Sequence, residues 1–146
     1  MLKALAILLV SATAARAGDG QIRSVDMQAL PLQALHEGEG KVAFLALDQQ
    51  NLPLVALIRF AEGDAQAPYT VNDGRTRFAF VTEGEIAFGE GATVDQANEK
   101  TYKKGDIIVI PAGAPIWVGA REGGLPGAEI VIAIVPGNSR VNAPLH

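Results

Sequence analysis

The chain has 146 residues, which suits one domain with a core of its own and falls short of two of ordinary size. Apolar residues make up 49% and charged residues 19%, and 16 glycines supply many tight turns; this balance excludes a disordered chain or a coiled coil and favours turn-rich β structure. A formal charge of −4 with no basic cluster beyond Lys103-Lys104 argues against a nucleic-acid partner, and the lack of cysteine excludes disulfides, thiol chemistry and cysteine-ligated metals.

Residues 1–17, MLKALAILLVSATAARA, set Lys3 ahead of the apolar run 4–10 and end on Ala15-Arg16-Ala17, the pattern of a secretory signal peptide cleaved after Ala17. The apolar run is far shorter than the roughly 20 residues of a membrane-spanning helix, so no membrane anchor is expected. Cleavage would remove Lys3 and Arg16 and take the formal charge from −4 to −6, and the expected location is periplasmic or secreted. Residues 18–40, with Leu30-Pro31-Leu32 and the polar string His36-Glu37-Gly38-Glu39-Gly40, read as an N-terminal arm, and 41–146 as the domain proper.

From Lys41 onward short apolar runs alternate with turn chemistry: VAFLALD (42–48), LVALIRFAEG (54–63), RFAFVTEG (77–84), EIAFGEG (85–91), GDIIVIPAG (105–113), PIWVG (115–119) and AEIVIAIVPG (128–137). Each has the length of a strand, and each break carries Gly, Pro, Asn or Asp. None sustains a 3.6-residue period for three turns, so the domain is expected to be all β, closed as a barrel, jelly roll or sandwich because an open sheet would leave exposed edges.

Two stretches narrow this choice. In GDIIVIPAGAPI, Gly105, Pro111 and Gly113 take the spacing glycine, five residues, proline, one residue, glycine, two residues, histidine, with Ile116 at the histidine position. In TVNDGRTRFAFVTEG, counting back from Gly84 by the spacing His-x-His, four residues, glutamate, six residues, glycine puts Arg77 at the glutamate and Thr70 and Asn72 at the two histidines. The stretch from about Leu54 to Pro136 thus resembles the cupin superfamily. The resemblance implies a single jelly-roll barrel, and relatives that commonly pair imply a homodimer.

The family's metal centre uses imidazoles and a carboxylate, and here every such slot is refilled. Threonine and asparagine are feeble ligands, isoleucine is none, and an arginine brings a fixed positive charge. No metal or other cofactor is therefore expected. The two histidines offer little rescue: His36 sits in a polar loop string and His146 ends the chain. They also leave a serine or threonine nucleophile without a good base, and Glu83 and Glu85 flank a glycine rather than face one another.

The candidate binding residues are then Arg77, Asn72, Thr70, Tyr69, Ile116, Trp117 and Arg59. Period-two alternation puts Arg77 on one face with Ala79 and Val81, and the resemblance turns that face into the barrel. A free guanidinium there would grip a carboxylate or phosphate, with hydrogen bonds from Asn72 and Thr70 and an apolar wall from Tyr69, Ile116 and Trp117; the alternatives are an internal salt bridge for Arg77, a plain turn at Asn72-Asp73-Gly74, and core or subunit-interface positions for the two aromatics. Arg59 is the other charge set within an apolar strand, as a pocket residue or an outer-face side chain with its stem packed. The leading expectation is an exported, metal-independent binder of a small polar or anionic molecule. Two alternatives stand beside it: an enzyme, as a metal-independent isomerase or lyase or a dioxygenase with atypical ligands, and an interaction module with a filled barrel.

Overall fold

The computed structural model describes residues 20, 22–35, 38–120 and 126–146; the signal-peptide stretch and His36 lie outside them. Nine strands follow in chain order: β1 (Gln33–Ala34), β2 (Lys41–Leu47), β3 (Pro53–Ala61), β4 (Ala65–Thr70), β5 (Arg75–Glu90), β6 (Lys100–Lys103), β7 (Ile107–Ile110), β8 (Pro115–Gly119) and β9 (Gly127–Pro136). A single turn of 3-10 helix, Gln96–Asn98, precedes β6, with the Asp95 side chain accepting from the Ala97 amide at its start.

All pairings are antiparallel, and the sheet runs β1-β2-β3-β9-β5-β8-β4, with β6 and β7 also paired to β5. The two ends of this path meet: Gly38 bridges Gln66 of β4, the Glu39 amide donates to the Ala65 carbonyl (3.1 Å), and the Ala65 amide donates to Oε2 of Glu39 (3.1 Å). A Cβ on Gly38 would lie 3.1 Å from the Gln66 side chain, so the crossing is close enough to favour glycine. The last residues of the N-terminal arm thus form β1 and the barrel seam. Their apolar content is too low to mark them as strand; what draws them into the sheet is the pair of backbone edges that they satisfy.

The sequence reads 77–84 and 85–91 as two strands, whereas the protein makes one strand of 16 residues. Gly84, with φ of +73°, does not reverse the chain but bends it, and a register shift between Val81 and Glu83 accompanies the bend. Before the bend, Ala79 and Val81 point into the core; beyond it, Ile86 and Phe88 do. One strand can therefore pair with β7 and β9 in its first half and with β6 and β8 in its second, which curls the sheet into a barrel. The interior is filled by Phe60, Val81, Ile86, Val118 and Ile130 among others, with Ile86 and Ile130 fully buried.

Strands β4 and β6 were not legible as apolar runs. β4 carries Pro68 where its pairing with β8 slips between Gln66 and Tyr69, as a proline without an N–H requires, and β6 is mostly lysine and threonine on its exposed side.

Candidate functional site

The second half of β5, its neighbours β6 and the start of β8, and β7 together line a cavity of about 450 Å³. Its floor is apolar: Phe88, Ile108, Ile110 and Ile116, each buried. Its rim is polar: Glu90, Asn98, Lys100 and Tyr102. Phe88 and Tyr102 meet edge to face, with ring centroids 5.9 Å apart at 81°, which holds the phenol at the wall. Burial pushes the Tyr102 hydroxyl above its usual pKa, and the negative charges of Glu90 and Asp106 push it the same way, so it stands as a donor at neutral pH.

Ile116 is thus the one residue of the expected constellation that lines this cavity. Tyr69 lies opposite it in the β4–β8 register and packs against the core; burial raises its pKa while the nearby Arg77 charge opposes that rise. Arg77 does share the inner face with Ala79 and Val81, but it is not free. Its Nη2 and Nη1 reach both oxygens of Asp73 at 2.6 and 3.2 Å, and Nη1 also donates to the Arg75 carbonyl at 3.0 Å. Arg75 adds its own Nε at 3.0 Å to the same carboxylate. The Arg77 bonds first, and those from Arg75 after, hold the Asp73 carboxyl down at about 2. Of the two readings of Arg77, the internal salt bridge holds and the unpaired guanidinium does not: a carboxylate four residues upstream, at the turn into β5, already occupies the fork.

Four other expected residues, Thr70, Asn72, Trp117 and Arg59, also stand elsewhere. Thr70 is exposed on the face of β4 opposite Tyr69, and Asn72 is exposed in the turn beyond it. Trp117, adjacent to Ile116, points to the outer side of β8 and lies over Gly89, where a Cβ would collide with its ring. Its Nε1 donates to Oε1 of Glu99 at 2.8 Å, fixing the segment before β6 against the barrel. Trp117→Phe should remove this hydrogen bond and cost about 1–3 kcal/mol. Denaturant unfolding followed by far-UV circular dichroism reads the loss, and an unchanged midpoint would mean the bond contributes nothing.

Arg59 lies on the outer face too, since Ile58 and Phe60 on either side turn inward. Its Nε pairs with Glu129 at 2.8 Å and its Nη2 donates to the Met27 carbonyl at 2.7 Å, while Thr82 donates to the Glu129 carboxylate at 3.1 Å. Arg59 therefore ties the N-terminal arm to the sheet.

The four slots of the sequence signatures do not fit a metal. Ile116 has no donor, Arg77 is a paired cation, and Thr70 and Asn72 are exposed rather than convergent. Among the described residues no group of three or more His, Asp or Glu side chains is arranged to hold a metal ion, and His146 is exposed. The cavity rim residues Glu90, Lys100 and Tyr102 went unnoticed in the sequence. The inward alternation Ile86, Phe88, Glu90 was the available signal, since it places a carboxylate one step beyond the last core aromatic.

An all-β barrel with two strand-and-turn signatures and a cavity lined by its strands defines a jelly-roll scaffold. The sequence profile described as Cupin matches residues 18–143, and the chain belongs to that family. A search of curated protein sequences returns no match. Solved structures share the fold at low identity. The polyketide cyclase RemF from Streptomyces resistomycificus superposes with a TM-score of 0.62 at 14% identity, over 81% of each chain. The cupin domain of Schizosaccharomyces pombe Cnp3 gives 0.61 at 14%, over 80% of this chain and 75% of that one. A putative ethanolamine utilization protein from Salmonella typhimurium gives 0.60 at 19%, over 83% and 91%.

Proposed function

We propose that this protein is an exported, metal-independent cupin that binds a small polar molecule in its barrel. The observation that carries the reading is the cavity itself: about 450 Å³ is the size of a small-ligand site, with an apolar floor and a few convergent polar groups, and Ile116 stands at its base where a histidine would hold a metal. The Asp73 clamp on Arg77 argues for recognition at the Tyr102 rim rather than by a bare guanidinium. The N-terminal pattern Lys3, apolar run, Ala15-Arg16-Ala17 supports export. Pairing with a second copy belongs to the same proposal, and Phe80 and Ile107, cross-strand neighbours exposed on the outer face, support it. The cavity also favours a binder over a filled-barrel interaction module.

The test is thermal unfolding of the purified protein against a panel of small polar fragments, repeated on Ala114→Leu and Ile116→Phe, which add volume to the cavity wall. Stabilisation of the wild type by some fragments, lost in both variants, is expected. A panel that shifts nothing, or shifts all three proteins alike, would overturn the reading.

A further inference from the structure

Two charges of opposite sign stand at the rim. Neither the Glu90 carboxylate nor the Lys100 ammonium makes a hydrogen bond or ion pair among the described residues, although each lines the cavity. Their placement follows from register. Phe88 pairs with Lys100 across β5 and β6, and Glu90, two residues further along the same inward face, is diagonal to that lysine. Diagonal neighbours about 7–8 Å apart are within reach of long side chains, so Glu90 and Lys100, which do not pair with each other here, can converge on one small molecule at the rim. The Tyr102 phenol lies on the same strand as Lys100, two residues on and on the same face, so ammonium and hydroxyl form a donor pair facing one acceptor. Below all three is the floor of Phe88, Ile108, Ile110 and Ile116.

Building on the binding reading above, we propose that the ligand is a small zwitterion with an apolar substituent, of the kind an apolar α-amino acid provides. Its carboxylate accepts from Lys100 and Tyr102, its ammonium meets Glu90, and its side chain fills the floor. The balance of charge sets the selectivity. A ligand with only one charge forgoes the charge-assisted hydrogen bond that the other rim group offers, whereas a matched zwitterion makes both.

Isothermal titration calorimetry tests this with L-leucine, 3-methylbutylamine, which lacks the carboxylate, and 4-methylpentanoate, which lacks the ammonium. L-leucine is expected to bind at least tenfold more tightly than either analogue. Lys100→Gln should abolish its advantage over the amine, and Glu90→Gln its advantage over the acid. Both positions are exposed, and circular dichroism checks that the variants fold. Equal binding of all three compounds, or leucine affinity unchanged in the two variants, would overturn the proposal. If none of the three binds while other polar fragments stabilise the wild type, the zwitterion inference fails and the binding reading survives. If no fragment binds either, both fail.

Discussion

Gly84→Ala is expected to destabilise the barrel by about 3–5 kcal/mol, a large part of the stability of a domain this size. Two costs coincide at that position. The backbone there has φ of +73°, where an L side chain is strained by about 1–2 kcal/mol. An added Cβ would also fall on the carbonyl oxygen of Gly127 and lie 3.1 Å from the Cα of Ala128, and backbone atoms of a paired strand cannot rotate aside as a side chain can. Gly127 is no more forgiving, since its own φ is +93° and its neighbours Phe60 and Ala61 crowd it with backbone. Relief would require β5 and β9 to part at the bend that curls the sheet. Gly74→Ala supplies the contrast: φ is +69°, but nothing lies within 4 Å, so only the conformational cost of about 1–2 kcal/mol remains. Denaturant midpoints of the two variants against wild type measure the difference. Equal losses would show that the close approach to Gly127 costs nothing.

The second large effect concerns Asp73. Its pKa is about 2 in the folded protein against 3.8 for the free group, chiefly because Arg77 bonds its charged form. A carboxylate with a depressed pKa contributes stability that is fully present above its unfolded pKa and lost as pH falls through its folded value. The window is therefore about pH 4 down to 2. The full shift corresponds to roughly 2.5 kcal/mol, and partial exposure of the carboxylate, with salt screening, reduces this to about 1–2 kcal/mol. Asp73→Asn should show that loss at pH 7 together with repulsion between Arg75 and Arg77, whose side chains are only 15% and 13% exposed. By pH 2 the gap between variant and wild type should have shrunk to a small part of its pH 7 value. Chemical unfolding at pH 7, 4 and 2 checks the sign, and a gap between the two proteins that does not shrink from pH 4 to 2 would refute it.

How much of this was legible in advance depends on whether a property is local. The glycines and proline of GDIIVIPAGAPI serve local geometry: Gly105 and Gly113 adopt φ of +95° and +79° with open space around them, and their spacing alone marks a turn, a strand and a second turn. Ile116 needed no structure to be recognised as a non-ligand. Arg77 was read onto the inner face by alternation, and the Cα register with Ile134 and Ile110 agrees with that face. Its partner could not be read the same way, because Asp73 looks like an ordinary turn residue until the chain bends it under the guanidinium. Arg59 stands on the outer face, one of the two positions its strand allowed, while Trp117 was misplaced as a wall residue. Adjacent residues of a strand face opposite ways, so Ile116 and Trp117 cannot both line one cavity.

The amino-acid sequence by itself determined that the chain is all β and that its signature positions carry no good metal ligands, and its resemblance to the cupin signatures pointed to the jelly-roll barrel. These rest on residue type and short spacings, which survive whatever the rest of the chain does. Only the tertiary structure decided which groups share the interior: that Arg77 is matched by Asp73, that residues 38–40 help close the seam, and that Glu90, Lys100 and Tyr102 ring the cavity over Ile116. Those relations depend on strand register, which is set by how the whole sheet curls and by a bulge in β5 that reverses which side chains face inward.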